Sequence, residues 1–171
     1  MLRRELLVVL IASAGVWPLV AVDPPADRKP NPEQIRRRFY GVWLEEEKTA
    51  GGKRTTDPSH LCGLLFEEEK WYAWGRRGES SAARADRGVR LGPAADPMRF
   101  DMLDGTDSVK PGIFKFDGDK LVVALPANWA RERKLGKGED YPDRPKEFKS
   151  TKDNGVEVYV LRRGTAMYEQ D

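Results

Sequence analysis

Short runs of alternating apolar and polar residues dominate the chain from residue 39 onward, and none of them extends into the 3.6-residue period of a helix. In one such run, Met98, Phe100 and Met102 alternate with Arg99 and Asp101. A period of two places one set of side chains on each face of a β-strand, so that one face is buried and the other meets water. Gly, Pro and Asp separate the runs, as turns require. The chain is therefore predicted to fold into many short strands.

The connections between these runs favour an antiparallel meander. Asp117 and Gly118 lie between two apolar runs, and Asp-Gly in that position is a strong signal for a tight hairpin. A meander removes its exposed edges by closing on itself, so we expect an all-β, up-and-down antiparallel barrel of about eight strands. In the last run, Val156, Val158 and Val160 are predicted to form the buried face. The strands are expected at residues 40–47, 61–67, 70–76, 81–91, 98–103, 112–116, 120–125 and 156–162.

A short helix is predicted immediately before the first strand. Asn31 is a favoured capping residue, Pro32 suits the first helical position, and the charge of Glu33 suits the positive end of a helix. Gly41 and the strand that follows limit the helix to a few turns. The three arginines at 36–38 are interpreted as a solvated helix face in preference to a phosphate-binding patch.

The N-terminal segment has the layout of a secretory signal peptide. A basic start containing Arg3 and Arg4 precedes an apolar stretch from Leu6 to Val22, and Ala21 is the best cleavage point. Pro18 weakens this stretch as a membrane-spanning helix. We therefore expect the first 21 residues to direct export and to be removed. The mature protein is expected in the periplasm, the cell envelope or the extracellular space, without stable insertion into a membrane.

Proline content and loop length indicate the rest of the domain organisation. Residues 22–32 contain four prolines and are predicted to form an extended linker, followed by one barrel domain at 33–163 and a flexible tail at 164–171. The connection 126–150 is much longer than the other turns. Long loops in compact domains are usually functional or disordered, so a lid over the barrel mouth and a mobile insertion both stay open here.

A series of motifs, in order along the chain, resembles a known family. Gly41-Val42-Trp43 matches the Gly-x-Trp motif of the first lipocalin strand. The stretches at 88–103, 112–121, 144–150 and 158–163 are similar to small lipocalin-like domains of unknown function that are common in planctomycete bacteria. The resemblance spans residues 39–163 and implies a lipocalin-like barrel, often in an exported protein, with no known catalytic residues.

The resemblance also implies which residues close one end of the barrel. In lipocalins the motif tryptophan packs beneath an arginine of the last strand, a contact between a cation and an aromatic ring. Here Trp43 takes the place of that tryptophan, Gly41 belongs to the same motif, and either Arg162 or Arg163 supplies the cation. These residues are expected to be structural, without contact to a ligand.

Composition argues against several classes of function. One cysteine and one histidine among 171 residues exclude an internal disulfide and a multi-histidine metal site. The net charge of +2 gives no general attraction to nucleic acid. Asp101, Asp104 and Asp107 are closely spaced but lack the distal glutamate of a calcium loop. We expect no catalytic residue, no metal, no cofactor and no nucleic-acid partner, and we do not expect an enzyme.

The favoured function is binding of a small apolar or amphipathic ligand inside the barrel, or of a cell-envelope macromolecule. A fully packed structural or interaction barrel is the alternative, and an uncharacterised enzyme is the third. A connected cavity would favour the ligand, whereas a convergent polar cluster inside the barrel would favour the enzyme. Strand alternation predicts an interior formed by Leu64, Phe66, Val89, Leu91, Met98, Phe100, Met102, Phe114 and Phe116. The candidate ligand-binding residues are Trp71, Trp74, Met98, Phe100, Met102, Phe114 and Trp129.

Overall fold

The computed structural model describes residues 31–56, 62–75, 87–128, 130–131 and 140–164. These residues form a short helix followed by ten β-strands. The elements are α1 (Pro32–Phe39), β1 (Gly41–Ala50), β2 (Lys53–Thr55), β3 (Cys62–Phe66), β4 (Trp71–Gly75), β5 (Arg87–Gly92), β6 (Met98–Asp104), β7 (Ser108–Asp117), β8 (Lys120–Pro126), β9 (Ala130–Arg131) and β10 (Val156–Arg163).

The strands form one antiparallel sheet in the order β4-β3-β1-β10-β8-β7-β6-β5, with β2 added to β1 and β9 added to β7. Pairing between β1 and β10 brings the start and the end of the domain together. The two outermost strands, β4 and β5, approach each other where the backbone N–H of Val89 donates to the carbonyl of Glu69 at 3.1 Å. The sheet is therefore a nearly closed barrel of eight main strands, which confirms the predicted fold class.

The eight main strands correspond one to one to the predicted runs, and the differences lie at their ends. β7 begins at Ser108, four residues before its predicted start, and runs through Pro111, although proline is uncommon inside strands. The predicted start of the fourth strand lies outside the described residues, which resume at Arg87. β2 and β9 were not predicted, since runs of three and two residues are too short to show a period.

Helix α1 forms as its sequence predicts. The side chain of Asn31 accepts a hydrogen bond from the backbone N–H of Glu33 at 3.0 Å, and Pro32 occupies the first helical position. The predicted linker 22–32 therefore extends one residue too far, because Pro32 is helical. The apolar side chains of Ile35 and Phe39 are buried, so the helix packs one face against the barrel.

Aromatic side chains fill the barrel interior next to α1. The ring of Phe39 lies with its centroid 4.6 Å from that of Phe66, 5.6 Å from that of Phe100 and 4.8 Å from that of Phe114. We call these four residues the aromatic plug. The helix thus inserts a side chain into the barrel, and the barrel closes around it. The predicted interior is confirmed, since all nine of its residues are buried in this core or packed against it.

Candidate functional site

Trp43 and Arg163 close the end of the barrel next to α1. The Trp43 side chain is 1% exposed, and its indole N–H donates to the carbonyl of Phe39 at 2.7 Å. The Arg163 guanidinium lies 4.0 Å from the centroid of the Trp43 ring and donates to the carbonyls of Tyr40 at 2.6 Å and Arg38 at 2.5 Å. The arginine therefore holds the last turn of the helix and the first strand together. This arrangement leaves no exposed face of the indole for a ligand.

The neighbouring residues explain which arginine takes this position. Arg163 stands opposite Trp43 in the register of β1 and β10, whereas Arg162 stands opposite Leu44, on the other face of the sheet. Gly41 has a φ of 119°, and a Cβ at this position would lie 2.6 Å from a guanidinium nitrogen of Arg163. Glycine is therefore required at position 41 both by the backbone conformation and by the space that the arginine occupies.

Of the sequence-predicted ligand residues, two belong to the aromatic plug and three lie elsewhere in the hydrophobic core or against it. Phe100 and Phe114 belong to the plug itself, where their rings meet edge to face at 6.0 Å. Met102 is buried one step further along β6, and Met98 is partly buried. Trp71 is buried at the seam between β4 and β5, with its indole N–H donating to the carbonyl of Leu103 at 2.9 Å.

The two remaining candidates cannot be assigned a contact. Trp74 stands opposite Gly63 in the pairing of β4 with β3. Its side chain and the whole of Trp129 lie outside the described residues. Tyr72 is partly exposed, and its hydroxyl donates to the Glu67 carboxylate at 3.2 Å.

Beyond the plug, toward the end of the barrel away from α1, the interior positions become polar. Tyr159 stands opposite the buried Val123, and Glu157 stands opposite the buried Leu125. Lys48 is the partner of Tyr159 on β1, and Lys110 is the partner of the buried Met102 on β7. Since residues paired in a sheet share a face, all four polar side chains face inward. We call these four residues the polar layer: Lys48, Lys110, Glu157 and Tyr159.

Two members of the polar layer, Lys48 and Tyr159, make short contacts to the Glu157 carboxylate. The Lys48 ammonium lies 2.8 Å from one oxygen of Glu157, and the Tyr159 hydroxyl donates to the other at 2.6 Å. Burial raises the pKa of the Glu157 carboxyl, but the bonds from Lys48 and Tyr159 outweigh it and hold the pKa below its usual value. Burial, together with the charge of Lys48, lowers the pKa of the Lys110 amine against the opposing effect of Glu157.

An ion pair stands on the other wall of the same end. Arg87 and Asp104 are partners in the register of β5 and β6, and their side chains approach to 3.4 Å. The Arg87 guanidinium also lies 4.6 Å from the centroid of the Trp71 ring. Glu45, on β1, is a further buried carboxylate, only 4% exposed. The end of the barrel away from α1 therefore carries two ion pairs, Lys48 with Glu157 and Arg87 with Asp104.

Sequence reasoning missed the polar layer for two identifiable reasons. The predicted strands ended before Lys48 and began after Lys110, so neither was assigned a face. The prediction that Val156, Val158 and Val160 form the buried face of β10 was wrong. Leu161, on the opposite face, is fully buried with its side chain in the core, while the valines are only partly buried. The inward face of β10 therefore carries Glu157 and Tyr159.

The described part of the long predicted loop covers the outside of the barrel. Arg144, whose side chain is 8% exposed, donates to the carbonyl of Gly112 at 2.7 Å and to that of Phe100 at 3.2 Å. It also bonds Asp101 at 2.7 Å and Asp140 at 2.6 Å. These contacts fasten residues 140–149 over β6 and β7, so this part of the loop is not a lid over the mouth. The predicted loop boundary also shifts, because β8 ends at Pro126 and β9 follows within the connection.

Two grooves open on the outer surface of the described residues. One, of about 610 Å³, lies between α1, the turn that precedes β4, and β5, and it presents Arg36, Arg37, Glu68 and Glu69. The other, of about 570 Å³, lies between the 142–149 segment and the adjoining ends of β8 and β10. Charged side chains of both signs line each groove, so neither selects a partner of one charge.

In comparisons with known proteins, no family model, no curated protein and no solved structure matches the chain. The family resemblance therefore rests on its motifs and stays a prediction. Among the residues that the structure describes, α1 is far too short to cross a membrane, and no other helix has the length and apolarity to do so. The same residues contain no group of three or more His, Cys, Asp or Glu side chains arranged to hold a metal ion.

Proposed function

We propose that the protein is a lipocalin-like binding protein that takes up one small amphipathic molecule inside its barrel. The observation that carries the proposal is the change of the interior from the aromatic plug to the polar layer along one barrel axis. Met102 and Leu125 lie where the two regions meet. An alkyl or aromatic group would lie against these apolar side chains, and a polar head would meet Lys48, Glu157 or Tyr159. Binding sites of this kind combine an apolar lining with a few polar anchors.

Binding is favoured over catalysis by the state of the carboxylate in the polar layer. A general acid or base works best when its pKa lies near the working pH. The pKa of Glu157 is instead held below its usual value, because Lys48 and Tyr159 already bond to both of its oxygens. The carboxylate is therefore suited to holding the two side chains in place, and through them a ligand head group.

A specific observation favours the packed barrel as the second candidate. Phe39 fills the interior next to α1 and touches three other aromatic rings. Small barrels of eight strands are either filled by side chains or hollow enough for one small ligand. If side chains also fill the barrel interior at the polar layer, the protein is a structural or interaction module whose partner binds to the outer surface of the barrel.

Titration with dodecanol and dodecanoate tests the proposed function. Both have a long apolar chain, and they differ in the charge of the head group. We expect each to bind at one molecule per barrel and to change tryptophan fluorescence, since Trp71 is buried in the same core cluster as Met102, with its ring against Arg87. If neither compound saturates at one equivalent, the binding proposal is wrong and the packed barrel replaces it.

Two lysines of β7 provide a matched control. Lys110 faces inward opposite Met102, whereas Lys115 is exposed, with its ammonium 5.0 Å from the Phe148 ring centroid. Lys110→Met is expected to weaken binding of dodecanoate more than binding of dodecanol, because it removes a cation from the head-group region. Lys115→Met is expected to leave both affinities unchanged, since it removes an equal charge outside the barrel.

We further propose that the protein is exported and that its N-terminal segment is removed. Mass measurement on protein recovered from the cell envelope or the medium is expected to give a chain that starts near Val22. Recovery of the full chain from the cytoplasm, with Met1 or Leu2 at its start, would contradict export. This experiment is independent of ligand binding, since it reads the covalent structure alone.

A further inference from the structure

Strand β5 has a partly open edge on the side away from β6. Its pairing with β6 is regular from Arg87 to Gly92, with one residue opposite one residue throughout. The Val89 N–H points away from β6, because it donates to the carbonyl of Glu69 at 3.1 Å. Backbone groups alternate in direction along a strand, so the N–H and C=O of Leu91 also point away from β6. Among the described residues, no backbone group pairs with either of them.

The outer groove of about 610 Å³ lies beside this edge. Val89 and Leu91 line it, and both side chains also belong to the hydrophobic core or pack against it. Tyr40, at the end of α1, borders the groove and reaches the turn before β4, where its hydroxyl donates to the carbonyl of Glu68 at 3.1 Å. Ligand sites have volumes of roughly 300–1,000 Å³ and combine apolar lining with a few polar groups. This groove combines apolar side chains with unpaired backbone groups.

The charges around the groove are divided between two elements. The carboxylates of Glu68 and Glu69, in the turn before β4, are exposed, and neither has an ion-pair partner in the part of the chain that the structure describes. On α1, Arg36 and Arg37 share the single carboxylate of Glu33, with nitrogen-to-oxygen distances of 3.9 Å and 3.5 Å. The turn therefore attracts a cation, and the helix retains a positive charge that attracts an anion.

We propose that this groove binds an extended peptide segment of a partner protein, which adds a short strand to β5 at Leu91. An extended backbone supplies both the acceptor for the Leu91 N–H and the donor for its C=O. The segment carries an apolar side chain at that position, a basic one beside Glu68 and Glu69, and an acidic one toward the arginines of α1. Peptides that extend a sheet in this way gain affinity from main-chain bonds and specificity from alternate side chains. The inference goes beyond the proposed function and does not depend on it.

The geometry of the edge gives the order of the three side chains. The carbonyl of Glu69 already occupies the edge at Val89, so an added strand pairs at Leu91 and ends at the turn. A peptide antiparallel to β5 runs toward that turn. Its basic residue therefore follows the apolar residue, and its acidic residue precedes it. The acetylated and amidated peptide Gly-Thr-Glu-Val-Lys-Gly has this order and is the probe.

Amide hydrogen exchange measured by NMR tests the added strand directly. With the peptide at about ten times its Kd, exchange of the Leu91 amide is expected to slow by about tenfold, because its N–H is bonded only in the complex. Methylation of the peptide's valine nitrogen removes the donor to the Leu91 carbonyl and is expected to weaken binding by about tenfold. Methylation of its lysine nitrogen, which points away from β5, is the matched control and is expected to leave the affinity within about twofold.

Charge reversal tests the polar contacts. Glu69→Lys places a cation where the peptide's lysine lies, so it is expected to weaken binding by about fivefold or more. A peptide with glutamate in place of its lysine is expected to recover affinity for this variant. Glu147→Lys is the matched control, because it changes the net charge equally at an exposed position in the other groove. It is expected to leave the affinity unchanged.

The outcomes separate this inference from the proposed function. Protection of the Leu91 amide, together with lost affinity on methylation of the valine nitrogen, supports the added strand. Absence of binding, equal effects of the two methylations, or equal effects of Glu69→Lys and Glu147→Lys overturns it. Dodecanol binding without peptide binding overturns this inference alone. Peptide binding without dodecanol binding overturns the proposed function alone.

Discussion

Replacing Trp43 with alanine is expected to lower the free energy of unfolding by about 3–5 kcal/mol, the usual cost of removing a large aromatic side chain from a core. The substitution removes a fully buried ring at the point where the first strand, the last strand and α1 meet. It also leaves the carbonyl of Phe39 without its indole donor and the Arg163 guanidinium without the ring beneath it. Denaturant unfolding of the purified protein, followed by circular dichroism, measures the change.

Trp43→Phe is the control for this prediction. It retains an aromatic ring under Arg163 but removes the N–H that bonds Phe39, so a smaller loss of about 1–2 kcal/mol is expected. A loss below about 1 kcal/mol for Trp43→Ala would contradict the closed end described above, because a cavity of that size in a packed core always costs more.

Replacing Arg144 with methionine is expected to destabilise the protein by about 3 kcal/mol or more, the range for removing one partner of a buried ion pair. The guanidinium binds two carbonyls of neighbouring strands and two carboxylates, and the variant removes all four of these bonds. The pKa of Asp140 is subject to a rise from burial, but the bonds from Arg144 outweigh it and hold the pKa below its usual value. Urea unfolding at neutral pH measures the loss.

Arg54→Met is the matched control, because Arg54 also pairs with a carboxylate, that of Glu47 at 2.6 Å, but its side chain is 68% exposed. An exposed ion pair contributes less than about 1 kcal/mol. The Asp140 carboxylate also gives the Arg144 effect a pH dependence. The pKa of Asp140 is lower in the folded protein than in the unfolded chain. The carboxylate therefore stabilises the folded protein above the unfolded-state pKa, and this stabilisation is lost as the pH falls through the folded-state pKa. The stability difference between Arg144→Met and the unmodified protein should therefore shrink in acid. Equal effects of the Arg54 and Arg144 substitutions would contradict the fastening of the 140–149 segment.

The strands could be predicted because the alternation of apolar and polar residues that identifies a strand lies within a single short stretch of the sequence. In β6, charged residues separate Met98, Phe100 and Met102, so the alternation has one possible phase. In β10 both faces carry apolar residues, and the valines indicated the wrong face. Period two distinguishes two faces only where one of them is polar, and the inward face of β10 is decided by its neighbours in the sheet.

The contacts that define the site are non-local and could not be obtained from the sequence pattern. Lys110 lies in the part of β7 that precedes the predicted start of the strand, and its neighbours Lys48 and Glu157 come from opposite ends of the domain. Arg144 reaches β6 and β7 from a segment without regular alternation. The contact between Lys48 and Glu157 follows from the pairing of β1 with β10, and the Gly-x-Trp motif does not give the register of that pairing.

The location of a bound amphiphile tests the central claim of an interior site. Methionine methyl resonances report on it directly, since Met102 lies between the aromatic plug and the polar layer. On titration with dodecanol, we expect the Met102 methyl signal to shift, to saturate at one equivalent, and to show magnetisation transfer to the alkyl chain. An unmoved Met102 signal, with shifts confined to Tyr40 and its neighbours in the outer groove, would contradict the interior site.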